Sequence, residues 1–245
     1  MSKEEINIRQ LALEFPHRPS LGREDFLISP CNQEAATLVE QWPNWPYFAL
    51  CVYGPIGCGK THLANVFANK VANLTNFPYK IPFIRASQLS IEKGRELFEN
   101  NHCLVVENLE DLKNEEALFH IYNMYRDEGG NILFTAEKAP ARLNFRLPDL
   151  RSRMNIVPAV EIKEPDDDLL SALLVKLFVD RQIMPSPEII NYMLANMSRS
   201  FDFARKLVAE VDNISLERKR AISIPIVKEA LSVLNSEPKQ GDLFS

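Results

Sequence analysis

The chain has 245 residues, a formal net charge of −5 and 46% hydrophobic residues, which suits one sizeable α/β domain with a small companion and excludes a long multidomain enzyme. The acidic balance argues against a protein whose main task is to grip the DNA backbone, so no direct sequence-specific DNA binding is expected. No apolar run reaches the roughly 18 residues of a membrane span, and Met1-Ser2-Lys3-Glu4-Glu5 lacks the build of a secretion signal, which predicts a cytoplasmic protein without membrane contact. The cysteines Cys31, Cys51, Cys58 and Cys103 show neither C-x-x-C spacing nor a neighbouring histidine pair, so reduced thiols are expected rather than a zinc site or a disulfide framework.

A polar arm rich in proline and charge occupies residues 1–30, and a helical pattern at 32–42 follows it. A β-type apolar run at 48–53 then leads into Gly54-Pro55-Ile56-Gly57-Cys58-Gly59-Lys60-Thr61, and a helical pattern continues from 61 to 72. This matches G-x-x-x-x-G-K-[ST] in its required strand-to-helix setting. Glycines allow backbone N–H groups to turn towards phosphate oxygens, the helix N-terminus adds partial positive charge, and Lys60 adds a full one. Gly54, Pro55, Gly57, Cys58, Gly59, Lys60 and Thr61 are therefore the expected contacts of ATP or ADP, with Thr61 on Mg²⁺. Further β-type runs at 81–85, 103–107, 131–135 and 156–162 alternate with helical patterns such as 115–127, which predicts a parallel sheet with helices on both faces. From Pro165 the strands stop. Helical patterns at 166–181, 186–196, 201–219 and 224–234, with Asp166 and Ser186 as N-caps, predict a small all-helical domain. The expected boundaries are 31–163 for the nucleotide-binding α/β domain, 164–235 for the helical lid and 236–245 for a mobile tail.

A P-loop enzyme also needs an acidic residue at the end of a second strand to hold Mg²⁺ through water, and commonly a neighbouring carboxylate to orient the attacking water. Leu104-Val105-Val106-Glu107-Asn108 fills that slot, with Glu107 on the metal side and Asn108 where the water-activating acid is expected. An amide cannot accept the proton, so a weak or absent intrinsic ATPase is predicted. Thr135, at the end of its strand, is placed to sense a γ-phosphate. In Leu147-Pro148-Asp149-Leu150-Arg151-Ser152-Arg153-Met154, Arg153 is the candidate to reach the nucleotide of an adjacent molecule and neutralise transition-state charge in trans.

Together, the P-loop, the strand ending in Glu107, the Thr-ended strand, the Leu-x-Ser-Arg box and the helical lid resemble the DnaA replication-initiator clade of AAA+ ATPases, over about residues 10–234. Pro16-His17-Arg18-Pro19, Arg23-Glu24-Asp25-Phe26 and Ile224-Pro225-Ile226-Val227-Lys228-Glu229 point within it to the short DnaA-related regulators. The resemblance implies an AAA+ P-loop NTPase fold and a lid, with no room after the lid for the initiator's helix-turn-helix. It also implies a negative regulator of replication initiation that, with the DNA-loaded sliding clamp, makes DnaA hydrolyse its bound ATP, with homo-oligomers possible.

Gln10-Leu11-Ala12-Leu13-Glu14-Phe15 resembles the Q-L-x-L-x-F peptide of bacterial clamp binders, so Gln10, Leu11, Leu13 and Phe15 are the expected clamp anchors. Gln240-Gly241-Asp242-Leu243-Phe244 resembles the shorter Q-x-D-L-F form, which adds Gln240, Leu243 and Phe244. One departure concerns the lid, where the family places an arginine towards the nucleotide and this chain has Asp202, with Arg199 and Arg205 nearby. Two rivals remain: an autonomous AAA+ ATPase such as a helicase loader, and an adaptor that binds DnaA without promoting hydrolysis.

Overall fold

A computed structural model describes residues 23, 26–75 and 81–236. Its centre is a five-stranded parallel sheet of β1 (Ala49–Tyr53), β2 (Phe83–Arg85), β3 (Cys103–Glu107), β4 (Asn131–Ala136) and β5 (Ala159–Glu161), in the order β2-β3-β4-β1-β5. β1 lies between β4 and β5, with Cys51 opposite Phe134 on one side and Ala159 on the other.

The strands read as continuous apolar runs because both faces are covered, and their period of two decides which face each side chain serves. Leu50, Val52, Val105, Leu133 and Val160 point into one core with α1 (Gln33–Glu40) and α2 (Lys60–Thr75), whose Val39, Leu63 and Phe67 are fully buried. Cys51, Leu104, Val106, Ile132 and Phe134 point into the opposite core with α4 (Glu115–Asp127) and α5 (Pro148–Asn155), while α3 (Ile91–Asn100) packs beside α4. Ser90 and Asn114 start α3 and α4 by accepting the N–H of Lys93 and Ala117.

After β5 the chain builds a helical lid of α6 (Asp167–Val179), α7 (Pro187–Asn196), α8 (Phe201–Arg218) and α9 (Ile224–Ser236) around a third core that includes Leu174, Phe178, Met193, Leu207, Val211 and Val227. Asp166 caps α6 through the N–H of Leu169 at 2.8 Å. Ser186 occupies the N-cap position of α7, but its side chain makes no capping bond; Pro187 at the first helical position presets the turn instead. Another correction falls on the last strand. The apolar run at 156–162 is not all sheet: Ile156 and Val157 close α5 through bonds to Arg153 O and Met154 O, and the strand is Ala159–Glu161, with Pro158 O and Ile162 N also bonded to β1. Both segments named as clamp anchors, Gln10 to Phe15 and Gln240 to Phe244, lie outside the described residues.

Candidate functional site

The phosphate loop joins β1 to α2 at the carboxyl end of the sheet. Gly57 has φ +76°, and a Cβ there would sit 2.1 Å from Ser200 Oγ and 3.3 Å from Asp202 Cβ, so only glycine lets the loop tip pass under the first turn of α8. Gly54 is hemmed in by backbone, since a Cβ there would meet Ile162 O at 2.1 Å. Pro55 and the exposed Ile56 form the tip, and Gly59 lies against Phe201. Cys58 is buried, and burial pushes its thiol up, so it behaves as a packing residue of the loop.

Lys60 Nζ donates to Gly54 O at 2.7 Å and Pro55 O at 2.9 Å, which holds the ammonium over the loop. Thr61 Oγ1 donates to Glu107 Oε1 at 2.8 Å, so two of the predicted metal-side oxygens converge from α2 and β3. This pair of hard oxygen donors fits Mg²⁺ held largely by phosphate and water. Asn108 follows in the left-handed region at φ 58° and donates its backbone N–H to Thr135 Oγ1 at 3.2 Å. Thr135 is 1% exposed, and its hydroxyl fixes the turn after β3. Glu110, on that turn, accepts the N–H of Glu137 at 3.0 Å, and burial holds its carboxyl above the usual range.

The lid closes on this loop through a few atoms. Phe201 N donates to Gly57 O at 3.0 Å at the start of α8, and Ser200 caps the same turn through Phe203 N. On one side of that contact lies an open cleft of about 490 Å³ lined by Ile56, Glu164, Arg199, Asp202, Phe203 and Lys206. Asp202 pairs with Lys206 at 2.8 Å and Arg199 with Asp167 at 3.0 Å, so the cations of this cleft are bound to lid carboxylates. On the other side Phe26, His62, Leu173, Phe201 and Arg205 surround a hollow of about 20 Å³ beside Gly59. Phe26 meets His62 edge to face at 5.2 Å. Phe26, His62, Ser200 and Phe201 were not among the predicted site residues: no local spacing joins an N-terminal aromatic to a lid turn some 175 residues later (201 − 26).

Arg153 stands on a different edge, near the end of α5. Its side chain is half-buried and makes no ion pair or hydrogen bond among the described residues. Tyr122 on α4 lies within electrostatic reach: burial raises its phenol, and the guanidiniums of Arg153 and Arg126 pull it down.

Residues 19–160 match the family model described as the bacterial DnaA ATPase domain. The chain belongs to the bacterial DnaA ATPase family. Residues 167–231 match the model described as the Hda lid domain, so the lid is of the Hda kind. Among relatives, the chromosomal replication initiator protein DnaA of Campylobacter curvus is 24% identical over 96% of this chain and 58% of its own length. The DnaA of Borrelia turicatae is 25% identical over 87% of this chain and 49% of its own. The chain thus spans about half the length of the DnaA relatives it matches. Domain III of Thermotoga maritima DnaA superposes with TM-score 0.77 at 20% identity, covering 88% of this chain and 97% of that one. AMPPCP-bound DnaA from Aquifex aeolicus gives 0.68 at 22% identity, over 82% and 68%. These likenesses show the AAA+ fold: a parallel sheet flanked by helices with a helical lid. Among the described residues no helix is long and apolar enough to cross a membrane.

Proposed function

We propose that this chain is a nucleotide-bound regulator of replication initiation that acts with the DNA-loaded sliding clamp to make DnaA hydrolyse its ATP, supplying Arg153 in trans. The observation that carries the reading is the position of Arg153: a guanidinium with no ion pair or hydrogen bond among the described residues, near the end of α5 in a DnaA-family ATPase domain. A guanidinium at such an edge is suited to stabilise charge on a transferring phosphoryl group of a neighbouring molecule.

The chain's own nucleotide site supports a supporting role rather than turnover. Gly54 to Thr61 would hold the phosphates of ADP or ATP, and Lys60, kept over the loop by the Gly54 and Pro55 carbonyls, would supply positive charge to them. Thr61 and Glu107 would hold Mg²⁺, which neutralises phosphate charge when bound. Beside them stands the Asn108 amide, where hydrolysis asks for a base. Thr135 would act on a terminal phosphate through the Asn108 turn that its hydroxyl holds. Gln10, Leu11, Leu13 and Phe15, with Gln240, Leu243 and Phe244 as a second hook, anchor the chain to the clamp and keep it at high effective concentration near DnaA.

The test measures the fraction of DnaA-bound ATP converted to ADP with this protein, ADP and clamp loaded on DNA, against each omission. Conversion that requires both protein and clamp, and that Arg153→Ala abolishes while DnaA binding persists, is the expected result. Inhibition of DnaA that survives Arg153→Ala favours the non-catalytic adaptor. Steady-state ATP turnover by the chain alone favours an autonomous ATPase.

A further inference from the structure

Helix α5 is short, and nothing in its own sequence caps it. Leu147 at the N-cap offers no side-chain acceptor, and Pro148 at the first helical position has no N–H to give. The free donors ahead of the helix are instead satisfied from α4. Glu115 Oε1 accepts the N–H of Arg146 at 2.9 Å, and Oε2 accepts the N–H of Leu147 at 2.6 Å. One carboxylate therefore takes two adjacent backbone donors, the kind of charge-assisted, two-point contact that fixes direction as well as distance. The half-buried Glu115 sits in the first turn of α4, and Asn114 caps that turn through Ala117.

Arg153 lies towards the far end of α5. Tyr122 follows Glu115 by seven residues, two turns along the same stripe of α4. It is 2% exposed, and the Arg153 guanidinium lies within its electrostatic reach. Between the two ends, Leu150 and Met154 of α5 are fully buried beside Leu118 and Ile121 of α4. Apolar packing sets which face of α5 turns inward. The Glu115 clamp ties the residues just ahead of α5 to α4 along the helix axis.

We propose that Glu115 is the positioning residue for Arg153, holding α5 in the axial register that points the guanidinium off the rim. The inference rests on the reading of Arg153 as a finger in trans. Displacing a catalytic group by about 1 Å can cost on the order of 100-fold in rate, so a lost clamp is read in rate before it is read in folding.

The experiment compares Glu115→Ala, Glu115→Gln and Arg153→Ala with the unaltered chain, measuring DnaA-bound ATP hydrolysis at saturating clamp, the concentration of this protein giving half-maximal stimulation, and thermal unfolding. Glu115→Ala is expected to lower the saturated rate roughly 10- to 100-fold with the half-maximal concentration unchanged. Glu115→Gln keeps one acceptor and the shape, folds even where the alanine variant does not, and falls between the two. An unchanged saturated rate in folded Glu115→Gln and Glu115→Ala, with Arg153→Ala inactive, overturns the positioning role alone. Wild-type stimulation by Arg153→Ala overturns the reading beneath it. A fall in stability and half-maximal stimulation with no change in saturated rate assigns Glu115 to structure only, and also overturns the proposal.

Discussion

The sheet holds its share of the nucleotide loop through hydrogen-bonded ladders on both sides of β1, whereas the lid reaches the same loop through one turn of α8. The sheet is sealed by two cores, one per face, and the lid by a single core of its own. Lys60, Thr61 and Glu107 are thus held relative to one another by the sheet-borne loop and their own hydrogen bonds. Phe201, Asp202 and Arg205 ride on a body tied to the loop by the bond from Phe201 to Gly57 and the Ser200 contact. Such a division lets the cradle stay built while the lid adjusts to what lies in it.

The largest effects should come from unpinning either core. Phe134 and Phe178 are both fully buried, one in the sheet and one in the lid. Truncating each to alanine should cost about 3–5 kcal/mol. Both tryptophans, Trp42 and Trp45, belong to the sheet core beside α2. In Phe178→Ala, loss of helical circular dichroism should therefore precede the change in tryptophan fluorescence on heating, whereas in Phe134→Ala the two signals should move together. Coincident midpoints in Phe178→Ala would mean that lid and sheet unfold as one unit.

Next in size is the cradle itself. Removing the ammonium with Lys60→Ala should weaken ADP binding roughly 10- to 100-fold, the range of a charge-assisted hydrogen bond, and leave the unfolding midpoint nearly unchanged. A fluorescent ADP titration checks it. Gly57→Ala tests the join between the two bodies: the left-handed backbone costs about 1–2 kcal/mol for alanine, and the new methyl must also displace Ser200. Combining it with Ser200→Ala removes the Oγ at 2.1 Å but also the Phe203 cap of α8, so the double variant should cost less than the sum of the two single changes while the strain at φ +76° remains.

How much of this was legible in sequence follows from where each signal is stored. β3 and β4 and the glycine pattern of the loop were readable because each is local: buried parallel strands are unbroken apolar runs, and the loop needs its glycines at fixed places. Ile156 and Val157 misled because their apolar character continues that of β5, while their backbone bonds close α5. Asp166 was readable as a cap and acts as one; Ser186 has the right residue type, yet its hydroxyl caps nothing. The clamp of Glu115 on Arg146 and Leu147 spans 31 and 32 residues and left no pattern, since one more glutamate at a helix start looks like an ordinary dipole partner. The aromatic contact of Phe26 with His62 was hidden for the same reason.

The smallest effect is the most informative about the lid. Asp202 lies in the first turn of α8, with its Cβ 3.3 Å from where a Gly57 Cβ would stand, and it holds Lys206 in an exposed i,i+4 pair. As an acid at a helix N-terminus it favours α8, while as an anion over the loop tip it opposes phosphate. Asp202→Asn separates the two roles by sign. Helix stability should fall slightly, since the charge leaves the favourable end of the dipole and the exposed pair was worth little. Nucleotide binding should tighten by about threefold, because one negative charge is gone and Lys206 is released, with solvent screening keeping the gain modest. The gain should be larger for ATP than for ADP, whose phosphates carry less charge. Parallel titrations of the two nucleotides measure it. Equal or weaker binding in the asparagine variant would show that Asp202 serves only its helix, and that the lid touches the loop without judging what the loop holds.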